Sequence, residues 1–173
     1  EVTGVKPTRE SGGSTRGTNL IVFQDDDEWA AQHPITPDNI LDMSKVLALT
    51  TLYYNPNTGA AESYSLEVNN GGYEFTTGGF FGNDIQNMLT HELGHVLGLD
   101  HPCRSRAECG EATMYYSAPP GEIKKRDLDD DDIAGLCGLY GDLWVPEAPV
   151  DPSAVGGGCA APARPVGRPL PPL

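Results

Sequence analysis

Basic residues are few and long apolar runs are absent in this chain of 173 residues. It contains 11 Lys and Arg against 25 Asp and Glu, which gives a formal net charge of −14. Nucleic acids and anionic membranes are polyanions, so this acidity argues against both as partners. No apolar run approaches the roughly 18 residues of a membrane-spanning helix. No signal peptide is visible, and we expect residue 1 to follow a processing boundary.

Cysteine is scarce, and its spacing argues against a four-thiolate zinc site. The four cysteines are Cys103, Cys109, Cys137 and Cys159, and none forms a CxxC pair. An even number of cysteines predicts two disulfides and an oxidising, extracellular compartment. The simplest pairing is Cys103–Cys109 with Cys137–Cys159, but a Cys103–Cys137 or Cys109–Cys137 bridge stays open. Free buried thiols are the alternative.

The length suits one core-bearing domain, and the composition changes at both ends. Residues 1–18 are rich in Gly, Ser and Thr, which predicts a flexible arm or the remnant of a pro-segment. Residues 142–173 are rich in Pro and Gly, which is typical of a tail. We therefore expect the folded domain to cover residues 19–141.

Three segments in the first half have the composition of β-strands. Residues 20–23 are short and apolar, while residues 48–54 and 60–68 flank the turn signal NPNTG and predict a hairpin. Residues 60–68 alternate between apolar and polar side chains, which predicts a strand with one exposed face. The acidic run at residues 24–28 is expected on a solvated loop.

Two helices are predicted in the second half. The first covers residues 83–97, is capped by Asn83 or Asp84, and ends at Gly98. Its apolar stripe consists of residues at helical spacing, namely Ile85, Leu89, Leu93 and Val96. The second helix covers residues 129–140 and opens with four aspartates, which suit the positive end of the helix dipole.

The sequence HELGHVLGLDH carries the clearest chemical signal. His91 and His95 are one helical turn apart, so their imidazoles project from one face. Gly98 lets the chain turn sharply, and His101 can then return as a third nitrogen ligand. Three imidazoles leave the fourth position of Zn²⁺ open for water, as in catalytic zinc sites. Glu92 stands where it can take a proton from that water.

Two interpretations compete with a catalytic zinc site. The histidines could cap helices or lie on a polar surface, but the extended HExxHxxGxxH spacing argues against chance. The chain could also be a non-catalytic zinc-binding interaction module. Glu92 argues against that alternative, because a base beside the metal serves catalysis.

These residues resemble the metzincin zinc metallopeptidases, whose long motif matches at His91, Glu92, His95, Gly98 and His101. The family also has a methionine turn beneath its zinc, and the sequence ATMYY supplies Met114. The sequence LDDDDIAGLCGLYG is similar to the C-terminal helix of matrixins and serralysins. Small bacterial matrixin-like proteases look most similar, although Pro102 after the third ligand is serralysin-like.

The resemblance implies an α+β fold with a twisted mixed β-sheet, an active-site helix and a small C-terminal subdomain with a helix. It also implies that residues 19–141 form the catalytic domain of a secreted endopeptidase, which hydrolyses peptide bonds with a zinc-bound water activated by Glu92. In serralysins and astacins a tyrosine at the offset of Tyr116 stabilises the oxyanion. The alternative is that Tyr116 packs beneath the cleft.

The expected partner is a protein or peptide substrate, and we expect a monomer. An extended substrate could pair with an edge strand at Ser63, Tyr64, Ser65 and Leu66. A self-inhibited zymogen, with the arm or the tail in the cleft, is a further alternative. Carboxylates at residues 25–28 and 129–132 could also bind Ca²⁺, although neither run has EF-hand spacing.

Overall fold

The computed structural model describes residues 17–34, 42–79 and 81–141. The chain divides into two compact units, with the boundary in the sequence between Thr76 and Thr77. Most of the predicted arm and the whole predicted tail lie outside these residues, so the proposed domain boundaries stay predictions. No helix in the described part of the chain is long and apolar enough to cross a membrane.

The first unit is built on a three-stranded mixed sheet. Its strands are β1 (Leu20–Gln24), β2 (Ala48–Tyr54) and β3 (Ala61–Asn69), in the order β1-β3-β2. β1 runs parallel to β3, and β2 runs antiparallel to it. The N–H of Asn55 donates to the carbonyl of Ala60 at 2.8 Å, which closes the predicted hairpin. A short strand, β4 (Phe75–Thr76), ends the unit.

β3 is the central strand, so the prediction of a substrate-binding edge at Ser63, Tyr64, Ser65 and Leu66 is wrong. β2 pairs with one side of β3, and β1 pairs with the other side from Ser65 onward. Before that point, the Ser63 hydroxyl accepts from the N–H of Gly17, and the N–H of Tyr64 donates to the Asn19 side chain. These neighbours occupy the positions that an added peptide strand would need.

The polar face of β3 is buried, which also contradicts the predicted exposed face. The Glu67 carboxylate accepts hydrogen bonds from Gln24 Nε2 at 3.1 Å, from His33 Nε2 at 3.0 Å and from the Ser65 hydroxyl at 3.2 Å. Buried polar groups are tolerated when they are paired in this way. A strict alternation of apolar and polar residues therefore did not indicate which face met solvent.

The acidic run at residues 24–28 was wrongly predicted as a loop, since it begins helix α1 (Asp26–Gln32). The Asp25 carboxylate accepts from the N–H of Glu28 at 3.0 Å, and the Glu28 carboxylate accepts in return from the N–H of Asp25. This reciprocal capping box starts a helix by satisfying two of its free N–H groups. Trp29 is buried one residue later, with its Nε1–H donated to the carbonyl of Met43.

The second unit carries five elements, which are β5 (Asn83–Asp84), α2 (Ile85–Val96), α3 (Arg106–Cys109), a 3₁₀ turn (Lys124–Arg126) and α4 (Asp130–Tyr140). Asp84 caps α2 as predicted, because its carboxylate accepts from the N–H of Asn87 at 2.9 Å. Gly98 follows the helix with a φ of +90°, a conformation that favours glycine.

The three cysteines that the structure describes are all disulfide-bonded. The predicted bridge between Cys103 and Cys109 is confirmed. Cys137, on α4, is also disulfide-bonded, and Cys159, its predicted partner, lies outside the described residues.

The buried face of α2 differs from the predicted apolar stripe. Leu93 is 39% exposed, whereas the buried residues of the helix are Asn87, Met88, His91, Glu92 and Gly94. The 3₁₀ turn packs against this helix, and the N–H of Lys125 donates to Asn87 Oδ1 at 2.7 Å. The mostly polar face that carries the HExxH motif is therefore the face that α2 buries.

Candidate metal centre

The three histidines of the motif converge on one point. His101 Nε2 lies 3.3 Å from His91 Nε2 and 3.2 Å from His95 Nε2. Tetrahedral Zn²⁺, with Zn–N bonds of about 2.0–2.1 Å, requires its nitrogen ligands to be about 3.3 Å apart. The triad therefore fits zinc, and it is the one cluster of at least three potential ligands among the described residues.

Hydrogen bonds orient both helical ligands. His91 Nδ1–H donates to the carbonyl of Thr113 at 2.8 Å, and His95 Nδ1–H donates to the carbonyl of Leu99 at 2.8 Å. Each bond leaves the Nε2 lone pair free for a metal, which is the usual role of such outer partners. Burial lowers the pKa of His91 to about 3, so this imidazole is neutral and able to ligate at neutral pH.

The chain reversal after α2 brings the third ligand into place. The N–H of Leu99 donates back to the carbonyl of Gly94 at 3.0 Å, and Gly98 takes the left-handed conformation between them. The Asp100 carboxylate accepts from the N–H of His101 at 2.7 Å. A glycine at this bend thus lets one short motif supply ligands from both the helix and the following loop.

Met114 packs directly beneath the helical ligands. It is 1% exposed, and a Cβ atom added to Gly94 would lie only 2.3 Å from its sulfur. Gly94 stands between His91 and His95, so the absence of a side chain there makes room for the methionine. The position of Met114 agrees with the methionine turn that the resemblance implies.

Asp132 makes a contact behind the triad that the sequence analysis missed. Its buried carboxylate accepts from the N–H of Thr113 at 3.0 Å, the N–H of Met114 at 3.3 Å and the N–H of Asp129 at 3.1 Å. It therefore completes the capping box that Asp129 begins at the start of α4, and it also holds the turn whose Thr113 carbonyl orients His91. The sequence signal, a D-x-x-D capping box, indicates the cap but not the contact with the turn.

Glu92 and Tyr116 both lie near the triad. Glu92 is 7% exposed and stands beside His91 on the buried face of α2. Tyr116 is 53% exposed, and its ring centroid lies 6.1 Å from that of His101. This exposure does not fit the alternative in which Tyr116 packs beneath the site, whereas Tyr115, at 6%, is buried.

Comparison with known families gives a match over most of the chain. The sequence profile of the Matrixin family matches residues 8–141. Metalloendoproteinase 1-MMP of Arabidopsis thaliana is 45% identical over 58 residues, which is 34% of this chain and 14% of that protein. Metalloendoproteinase 1 of Glycine max is 43% identical over 58 residues, or 34% and 17% of the two chains.

A human relative is also similar. Matrix metalloproteinase-25 of Homo sapiens is 39% identical over 70 residues, which is 40% of this chain and 12% of that protein. The matched part thus spans less than a fifth of the length of these relatives. No solved structure matches.

These relatives come from plants and human, so the comparisons do not support the predicted closeness to bacterial proteases. The mixed sheet, the helices and the histidine triad confirm the predicted α+β metzincin fold. The profile match over residues 8–141 places this chain in the matrixin family, and it belongs to the metzincin zinc metallopeptidases.

Proposed function

We propose that this protein is a secreted endopeptidase that cleaves internal bonds of extended peptides and unfolded proteins. The observation that carries the proposal is the buried Glu92 beside three histidines whose Nε2 atoms converge. The disulfides support secretion, because such bonds persist in oxidising compartments. We further propose that the protein acts as a monomer.

The zinc ligands and Glu92 have different roles in peptide hydrolysis. His91, His95 and His101 would hold the zinc, which when bound supplies a Lewis acid for the scissile carbonyl and lowers the pKa of water. Glu92 accepts the proton of the attacking water and then donates it to the leaving amine. The carbonyls of Thr113 and Leu99 hold two of the imidazoles in the neutral tautomer that ligates.

Digestion of unfolded casein by the zinc-loaded protein tests this proposal. Mass spectrometry of the products should show cleavage at internal bonds from the earliest time points, and a chelator should stop it. Release of terminal residues alone would contradict an endopeptidase. Zinc binding without any cleavage would favour the non-catalytic module.

The Tyr116 hydroxyl is proposed to donate a hydrogen bond to the oxyanion that forms on the substrate. Tyr116→Phe deletes the hydroxyl and keeps the ring, so turnover should fall about a hundredfold. Initial rates on a quenched peptide measure the effect, with zinc content and melting temperature as controls. Unchanged turnover in a folded, zinc-loaded variant would leave Tyr116 without a catalytic role.

A further inference from the structure

Lys125 is a buried cation close to the metal centre, and the peptidase chemistry described above does not use it. It lies in the 3₁₀ turn and is 2% exposed. Burial is the largest influence on its pKa and lowers it, while the carboxylates of Glu122, Glu92 and Asp132 act in the opposite direction. The lysine therefore lies within reach of the charge on the proposed catalytic base.

The ammonium group of Lys125 holds the main chain on both sides of Tyr116. Its Nζ donates one hydrogen bond to the carbonyl of Tyr115 and another, at 3.0 Å, to the carbonyl of Ser117. The same Nζ lies 5.8 Å from the centroid of the Tyr115 ring, within the range of a cation–π contact. A lysine has three donors and no acceptor, so it can bind two carbonyls at once.

Two further contacts fix Lys125 itself. The backbone N–H of Lys125 donates to Asn87 Oδ1 at 2.7 Å, and Asn87 lies on α2 one turn before His91. Glu122 Oε1 lies 3.8 Å from Nζ and accepts no hydrogen bond from the described part of the chain. Its other oxygen lies 3.8 Å from Lys124 Nζ, so the carboxylate is a counter-charge to both lysines. The lysine is thus held by α2 and by Glu122 while it holds the segment around Tyr116.

We propose that Lys125 is a positioning residue that keeps the Tyr116 side chain beside His101. The proposal rests on the peptidase function for its kinetic consequence, but the position of Tyr116 can be measured without activity. In the wild-type structure the ring centroids of Tyr116 and His101 are 6.1 Å apart. Loss of the two carbonyl contacts would free the backbone at the residues before and after Tyr116.

The test places a fluorotyrosine at position 116 and replaces zinc with paramagnetic Co²⁺. The fluorine signal then reports distance from the metal, because the paramagnetic shift falls steeply with separation. Lys125→Met removes the ammonium at nearly constant side-chain length, and we expect it to lose most of that shift. Lys124→Met is the matched control. That neighbouring lysine shares the Glu122 carboxylate with Lys125, but its hydrogen bonds go to Gly110 and Glu111, so its loss should leave the shift unchanged.

Turnover provides the second readout. Lys125→Met should lower kcat about tenfold through displacement of Tyr116, with KM and zinc content little changed. If Lys125 served stability alone, the melting temperature would fall while the fluorine shift and kcat stayed at their original values, and the proposal would be overturned. If Lys125→Met does not fold, Lys125→Gln takes its place, because its side chain is one atom shorter and uncharged and cannot reach both carbonyls as Nζ does. An unchanged fluorine shift in that folded variant would contradict the proposal.

The two proposals fail in different ways. If zinc-loaded protein cleaves no peptide but Lys125→Met still loses the fluorine shift, the peptidase function is wrong and the positioning role holds. If the protein is active and the shift is the same in both lysine variants, the positioning role is wrong and the peptidase function holds.

Discussion

Glu92→Gln is expected to keep one zinc per chain and to lose at least about a thousandfold in turnover. The change removes the base that accepts the proton of the attacking water, while the three imidazoles stay in place. Gln has nearly the same volume as Glu, so the buried site should pack as before. Single-turnover cleavage of a quenched peptide, with zinc measured on the same sample, gives both quantities.

His101→Ala is the paired control for Glu92→Gln, because it should lose the metal itself. Cleavage by a zinc-loaded Glu92→Gln protein at the original rate would show that another group acts as the base. Glu92→Gln protein that had lost its zinc would mean that Glu92 supports the metal, and the assigned role would be wrong.

The second large effect is expected from Asp132→Asn. Its carboxylate accepts three backbone N–H bonds from residues 113, 114 and 129, and an amide can replace only part of that capacity. Charge-assisted bonds of this kind are worth about 1.5–3 kcal/mol each, so we expect the free energy of unfolding to fall by about 3 kcal/mol. That loss corresponds to roughly 10 °C in melting temperature.

The same substitution should weaken zinc binding, since Asp132 holds the turn that orients His91. An outer partner of this kind typically changes metal affinity about tenfold to a hundredfold. Asp131→Asn is the matched control, because Asp131 is an exposed aspartate in the same first turn of α4. Competition with a zinc-binding dye measures the affinity, and equal values for the two variants would contradict the link from Asp132 to His91.

Local signals were sufficient for the metal ligands and for the elements that carry them. The HExxHxxGxxH spacing places two ligands one helical turn apart and a third after a glycine bend. Predicting these ligands therefore required almost no knowledge of tertiary contacts. Strand β2, the cap of α2 and the hairpin also followed from short stretches of sequence. The Cys103–Cys109 bridge was the simplest of the pairings that the sequence left open, and the structure selects it.

Features that depend on distant partners were not predictable in the same way. The alternation along β3 indicated two faces of the strand. The burial of the polar face, however, depends on the neighbouring strand β1 and on the pairing of Glu67 with His33 and Gln24. Asp132 and Lys125 look like members of charged runs on a solvated surface. Only the fold shows that each is buried and bonded to backbone groups near the site.

One zinc ion on the three histidines should be necessary and sufficient to make this chain a peptidase. The most direct test is a titration of metal-stripped protein with Zn²⁺ during cleavage of unfolded casein, with the initial rate plotted against zinc per chain. We predict that the rate rises linearly from zero and levels off at a ratio of about one. Cleavage by the stripped protein, or no cleavage at any ratio, would contradict the claim.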